Sequence, residues 1–465
     1  GAAVAAIVAG SFVAPAPWLL LHGGIVSLYC ASALFPRPAW LSGPAEAEPP
    51  AAESQELVES LAMALVIALV AREFVLEAFK IPTGSMEPTI LGDGRDRKGD
   101  RLLAFKAIDV RRWDIVVFRF PLFRNTNYIK RLIGLPGEHV QIREGDVYVN
   151  GAIVPKPDDV QAVMWRSAFA PRAAEEWIPH FDPDPNNAWV FRPGFAEVDA
   201  KGEAVAWCQL RGGFEEDQRV SFDVEVAPGS PAGDVLVGLD GGGRHCEVRI
   251  SAQGTHLTGP GIDADVADGA RLPAAGGRVR IGFSVSDRVM RVYADGRQVA
   301  AVQHADEPNG GLDAGKIRIG ARNLKAVVRD VVAENDVQYG TSGTTTWDVP
   351  ADGYVMLGDN THSSRDSRYW TANVVRTKDG REFVSPDYAR VTEDREERVF
   401  NVRPDGGVDF VDSYGVPRHF PKDEVAEIRR NEPQPFARRD DVVGRAFVIF
   451  FPFPPAGAFR PRFLR

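Results

Sequence analysis

The chain has 465 residues, with 54 Lys and Arg against 64 Asp and Glu, a formal net charge of -10. That length allows one to three domains with sizeable cores, and an acidic balance with no basic tract excludes a nucleic-acid partner. Forty-five Gly and 34 Pro favour turn-rich β structure, and three cysteines are too few for a disulfide scaffold. Cys208 and Cys246 fall in one region, and a bridge or two core thiols are equally open readings.

The chain begins with Gly, as a trimmed or processed product would. Residues Gly1 to Pro36 contain no Asp, Glu, Lys or Arg. Within them Trp18 to Phe35 is about long enough to span a bilayer. Pro38 to Gln55, rich in Pro, Ala and Glu, reads as a disordered linker. Leu57 to Val75 is a second hydrophobic candidate, with an uncharged core from Ser60 to Ala71 and Glu59 and Arg72 at its margins. It suits a span or a buried helix.

From Arg101 onward the pattern is β. Asp114 to Phe120 is a strand stopped by Pro121. Tyr128 to Ile133 is another, closed by the Gly134 to Gly137 turn. Val140 to Val149, interrupted at Glu144-Gly145-Asp146, reads as a hairpin. Residues 157–338 carry short strands at regular spacing: Val220–Val226, Asp234–Leu239, Cys246–Ile250, Val279–Val285, Ile317–Gly320 and Ala326–Val332. Arg288–Val299 is a hairpin turning at Asp295-Gly296. This spacing predicts a β-sandwich, jelly-roll-like. The charged stretch 371–438 reads as a second insertion or β extension, and Val442–Phe451 as a buried closing strand.

Ser85 follows the second hydrophobic segment in Ile81-Pro82-Thr83-Gly84-Ser85-Met86-Glu87-Pro88-Thr89. Lys130 lies in Tyr128-Ile129-Lys130-Arg131-Leu132-Ile133-Gly134-Leu135-Pro136-Gly137. A serine hydroxyl needs a base to become a nucleophile. No histidine stands in a triad context and there is no G-x-S-x-G elbow. A lysine can serve if burial strips its proton. Alternation puts Tyr128, Lys130 and Leu132 on one strand face. Taken singly, Ser85 reads as turn chemistry after a helix and Lys130 as a solvated strand-edge residue.

Together with the Asp114-Ile115-Val116-Val117-Phe118 strand and Gly358-Asp359-Asn360 through Ser364-Arg365-Asp366-Ser367-Arg368, these boxes resemble bacterial type I signal peptidase, a membrane-bound Ser-Lys endopeptidase. The resemblance covers about 110 residues and says nothing of the middle of the chain. It implies a mainly β protein: a signal-peptidase-like β catalytic domain with one or more N-terminal transmembrane helices. The inserted β-sandwich rests on the strand spacing, and within it Ile281 to Ala300 separately resembles the hairpin of concanavalin- or laminin-G-like jelly rolls. The implied divisions are 1–56 (hydrophobic segments and linker), 57–80 (anchor helix), 81–156, 339–370 and 439–465 (catalytic), 157–338 (sandwich) and 371–438 (second insertion).

The resemblance implies Ser85 as nucleophile and Lys130 as general base. The Ser85 N–H and Thr83 hydroxyl become the oxyanion hole, with Thr83 where the family usually has Ser. Ser364 is implied to orient the lysine, and Asp366 and Arg368 to form a supporting ion pair. Ile81, Met86, Ile90, Tyr128 and Ile129 are implied to line shallow apolar pockets for small side chains. No metal or other cofactor is implied. The implied substrates are signal peptides of secreted preproteins. The implied location is the cytoplasmic membrane, in contact with its lipid, with the catalytic domain outside. Trp113 departs from the pattern, standing where Gly is usual, and Thr361-His362-Ser363 replaces Arg-Asp-Asn. A self-cleaving repressor-type Ser-Lys protease fits less well, since it lacks an anchor and the Gly-Asp-Asn box. The other class of reading is a membrane-tethered binding or adhesion protein using the sandwich on an envelope glycan or protein ligand.

Overall fold

A computed structural model describes residues 52–95, 97–106, 108–170, 180–182, 188–305, 315–386, 388–392, 395–452 and 462–464. The candidate span Trp18 to Phe35, Cys30 and most of the linker lie outside them. The chain separates into two compact units, 1–77 and 78–465.

In the first unit, helix α1 runs over Ala52–Phe74. Its sequence is Ala- and Leu-rich, and Leu61, Leu65, Ile67, Val70 and Phe74 are exposed on it. Among the described residues no helix is long and apolar enough to cross a membrane. The expected 57–80 helix also ends early, because Leu76–Lys80 forms strand β1.

In the second unit, β2 (Arg101–Phe105), β3 (Ile115–Phe120) and β4 (Phe123–Gly134) join an eight-stranded sheet. Its order is β1, β2, Val442–Phe451, β3, β4, Gly353–Leu357, Phe436–Arg438, with Arg462–Phe463 added on Val442–Phe451. The run Ile115-Val116-Val117-Phe118 is fully buried, as β-branched and aromatic residues in a central strand should be. The last long strand, Val442–Phe451, was expected to be buried, but it is only half-buried. A small sheet packs against β4 and Gly353–Leu357, where Val140, Ile142 and Val147 meet Ile133, Val355 and Leu357. Its hairpin, β5 (His139–Arg143) and β6 (Asp146–Val149), turns at Glu144 (φ 53°) and Gly145 (φ 91°). Two positive φ values in a two-residue loop match the twist of the flanking strands.

The inserted module is a sandwich of two antiparallel sheets, as the strand spacing predicts. One has eight strands, with Gln218–Val226 between Arg278–Ser286 and Leu324–Asn335 at its centre. The other has six, with Gly315–Arg322 and Asp234–Gly241 inside. Alternate residues such as Val220, Phe222, Val224, Val237, Val248 and Ile281 fill one shared core. The hairpin at Asp295-Gly296 is present, with both residues at positive φ. Residues 158–164 precede the sandwich: Val160 and Met164 pack with Val140, Val147 and Trp347, and the chain enters the sandwich at Arg166–Phe169. No disulfide joins Cys208 and Cys246. Two strands stand between theirs, which puts the Cα atoms more than about 14 Å apart at ordinary strand spacing, at least twice the reach of a bridge.

The 371–438 region adds two three-stranded sheets, one built on Thr371–Thr377 and the other on Val408–Val411, around Val375, Val408, Phe410 and Phe420.

Candidate active site

Lys130 sits in β4 opposite Val116 of β3. Tyr128 and Leu132, two residues either side, pack into one apolar cluster with Phe118 and Trp370. The Lys130 ammonium lies 5.7 Å from the Tyr128 ring centroid, on the same face. The lysine is 4% exposed. Burial drives its pKa from 10.5 down to about 8, against the pull of Asp366 and Asp359.

Ser85 is brought to this strand by a turn that closes tightly on itself. The Glu87 N–H donates to the Gly84 carbonyl, and Ile90 N–H to the Met86 carbonyl. Met86 and Ile90 anchor it with no exposed surface, and Ile81 with 3%. The loop at 358–360 holds it from the other side. Asn360 Nδ2 donates to the Gly84 carbonyl at 3.0 Å, and its N–H to the Ser85 carbonyl at 3.1 Å. The outcome is a Lys130 Nζ to Ser85 Oγ distance of 2.7 Å, with the Ile129 carbonyl 3.0 Å from the same nitrogen. The Ser85 amide N–H has no acceptor among the described residues, and Thr83 stands exposed two residues away.

Asp366 and Arg368 form a two-pronged ion pair, Nε to Oδ1 2.8 Å and Nη2 to Oδ2 2.8 Å, with neither side chain exposed. Asp366 also accepts from the Gly358 N–H at 3.0 Å, tying the pair to the loop behind Ser85. The Ser364 hydroxyl is buried, but it makes no hydrogen bond among the described residues. The expected bond to Lys130 is therefore absent. Ser364 instead crowds Gly358: a Cβ there would lie 2.1 Å from Ser364 Oγ and 2.6 Å from the Ser85 carbonyl oxygen. Of the expected pocket residues, Tyr128 and Ile129 keep partial exposure, whereas Ile81, Met86 and Ile90 pack in the core beneath. His362 is exposed on the loop.

Sequence reasoning gave no role to Arg131, Asp359 or Thr89. Arg131 reaches across to Asp359 with Nε to Oδ1 2.8 Å and Nη2 to Oδ2 2.6 Å, both side chains wholly buried. Asp359 also accepts from the Thr89 hydroxyl. All three stood inside the quoted boxes, so the signal was present but not the contact, which joins residues 228 positions apart. Trp113, the departure from the usual Gly, holds φ at 73°, where Gly is favoured. Its indole is 3% exposed and its carbonyl accepts from Arg131 at 2.7 Å, interactions that offset a backbone cost of about 1–3 kcal/mol.

A second polar cluster was also missed. Asp146, Asp217 and Asp287 are all buried and bring carboxylate oxygens within 4.8 Å of one another. Burial and mutual repulsion hold Asp146 well above the usual carboxylate range, and burial raises Asp217. Asp336, beside Lys156, is pushed by burial up to about 7.

The signal peptidase, peptidase S26 family matches residues 54–177 and 282–384. The first block holds Ser85 and Lys130, the second Ser364, Asp366 and Arg368, and the gap falls inside the sandwich. Signal peptidase I of Pseudomonas aeruginosa is 46% identical over 101 residues, 19% of this chain and 36% of that protein. Signal peptidase I of Bacillus licheniformis is 36% identical over 106 residues, 22% of this chain and 53% of its own length. The chain thus spans about a third to a half of these relatives. A Bacillus subtilis protein of unknown function with a galectin-like fold is 13% identical, covering 37% of this chain and 98% of its own at a TM-score of 0.28. Residues 54–177 and 282–384 are thus similar to the signal peptidase, peptidase S26 family, and the unmatched stretch between them lies in the sandwich.

Proposed function

We propose that this protein is a serine endopeptidase that removes signal peptides from preproteins, with Ser85 as nucleophile and Lys130 as general base. The observation that carries the reading is the 2.7 Å contact between a hydroxyl and a lysine whose pKa burial lowers to about 8. Neutral Lys130 takes the Ser85 proton as Oγ attacks the carbonyl carbon at the cleavage site. The Ser85 N–H and the Thr83 hydroxyl stabilise the oxygen that becomes negative. The Lys130 ammonium then gives its proton to the departing amine. In the second half, Lys130 takes a proton from water, which attacks the ester and frees Ser85. Tyr128 and Ile129 offer the apolar wall for a small substrate side chain, with Ile81, Met86 and Ile90 shaping it from below. Ser364 and the Asp366–Arg368 pair hold the 358–368 loop against Ser85.

The reading includes attachment to a membrane, with the site on its outer side. It is supported by the charge-free residues 1–36 and by the apolar side chains exposed on α1. Recovery of the whole chain in the soluble fraction after vesicle flotation would count against attachment.

The test is processing of a preprotein in vitro by the wild-type chain and by Ser85→Ala. Wild type yields the mature product, and Ser85→Ala is slower by roughly 10³-fold or more. Equal processing by the two proteins refutes the assignment.

A further inference from the structure

The carboxylate cluster lies where the β5–β6 hairpin meets the sandwich. Asp146 opens β6. Asp217 immediately precedes strand Gln218–Val226. Asp287 sits in the two-residue turn between Arg278–Ser286 and Val289–Ala294, where it and Arg288 both have positive φ (47° and 61°). Asp217 and Asp287 are each 1% exposed and Asp146 8%. Burying so much like charge is costly unless it is matched.

The matching is incomplete. Lys156 Nζ lies 2.7 Å from Asp287 Oδ1 and 2.7 Å from Asp336 Oδ2. Arg244 is 3.4 Å from both Glu216 and Asp217. Arg288 lines the same niche and bonds the Tyr148 hydroxyl. Asp146 has no ion pair among the described residues. These three basic groups face the six carboxyl groups of Glu144, Asp146, Glu216, Asp217, Asp287 and Asp336, so acidic side chains outnumber basic ones at the niche.

His304 supplies an independent observation. It is 4% exposed and lines the same niche as Asp146 and Asp217. Its Nδ1 lies 3.0 Å from the Ala305 carbonyl, so that nitrogen carries the hydrogen and Nε2 is an acceptor. Nε2 is buried with no partner among the described residues. Burial holds the ring neutral. A buried acceptor without a donor costs about 1–3 kcal/mol. The niche, lined by Asp146, Asp217 and His304 together with Glu144, Glu216, Arg244 and Arg288, has a volume of about 10 Å³, the size of one small ion or water, and the Asp287 carboxylate lies within 4.8 Å of the Asp146 and Asp217 carboxylates. A separation within 4.8 Å is what oxygens on opposite sides of one ion show when each sits about 2.4 Å from it.

We infer that Asp146, Asp217 and Asp287 bind one hard divalent cation, calcium or manganese, with His304 Nε2 accepting a hydrogen bond from a water on that ion. Oxygen donors select such ions, and hydrogen-bonding groups just outside the ligands orient them. The ion offsets the acidic excess and clamps the β5–β6 hairpin to two loops of the sandwich. The inference is independent of the cleavage reaction.

The test uses the whole chain, stripped with chelator and dialysed against CaCl2 or MnCl2, with metal content and melting temperature as readouts. Wild type takes up one ion per chain, and its melting temperature rises with ion concentration. Asp146→Asn takes up none. Without metal it melts above metal-free wild type, because one buried like charge is gone. His304→Gln, which keeps a polar side chain, binds about 10- to 100-fold more weakly. Asp217→Asn serves as a second variant if Asp146→Asn does not fold. Absence of stoichiometric uptake by wild type overturns the inference. So does equal uptake by the folded variant, or a wild type that is stabilised only by lowering pH, since protons would then be what relieves the charge.

Discussion

At the scale of the residue, Lys130 is held where its charge is disfavoured, and that costs stability. Its folded pKa of about 8 lies below the ordinary 10.5, so the folded protein binds that proton less tightly than the unfolded chain. The penalty is present in full below pH 8, shrinks as pH rises toward 10.5 and is gone above it. Lys130→Met removes the ammonium while keeping apolar bulk. It should therefore raise unfolding free energy at neutral pH by on the order of 1–3 kcal/mol, from the size of the shift. Urea denaturation at pH 7 and near pH 10.5 checks both the gain and its disappearance. A destabilised variant at pH 7 would mean that the amine is not desolvated. The apolar flanks of Lys130 were legible in the sequence, because alternation in one strand places Tyr128 and Leu132 beside it. The absent Ser364 bond, the Arg131–Asp359 pair and His304 were not. Each depends on which side chains meet across distant segments, and no local pattern encodes that.

At the scale of the element, the 353–368 segment sets the position of Ser85. Gly353–Leu357 pairs with β4, and the loop after it touches the Ser85 turn through Asn360. Gly358 is the point of closest approach, and any side chain there meets the Ser364 hydroxyl and the Ser85 carbonyl. Gly358→Ala should push Ser85 from Lys130 and lower kcat by about 10²-fold, the scale of an ångström's misplacement, with little change in KM. Steady-state cleavage kinetics on the folded variant measure this; an unchanged kcat would show that the loop does not position Ser85. Strands built from β-branched runs, such as β3 and Gln218–Val226, were readable, as were hairpins marked by Glu144-Gly145 and Asp295-Gly296. Strand β1 was not. Leu76–Lys80 continues the apolar run of α1 without a break residue, and only its place beside β2, more than 20 residues later, makes it extended.

At the scale of the whole molecule, the sandwich leaves and rejoins the rest of the chain at one place. Arg166 and Asn335 are directly paired on neighbouring strands, so the insert's two ends are adjacent. Replacing residues 166–335 by a short Gly-Ser linker should leave the β1–β4 sheet intact, with Ser85-dependent cleavage within about tenfold of wild type, since closing so small a gap carries little entropic cost. Cleavage assays on the folded, shortened chain decide it, and loss of all activity would make the sandwich part of the active unit. The insert was legible as a sandwich because its strands recur with turn residues between them. Its lower boundary was harder to place, since 158–164 is short and mixes Asp158, Asp159 and Gln161 with apolar residues, of which Val160 and Met164 pack into the neighbouring core.

The most direct test of the Ser85–Lys130 assignment is the pH dependence of single-turnover signal-peptide cleavage by wild type and Lys130→Ala. The account predicts a wild-type rate that rises about tenfold per pH unit and levels off above a value near 8, with Lys130→Ala inactive throughout. A profile that is flat across this range, or a Lys130→Ala chain that cleaves at the wild-type rate, contradicts it.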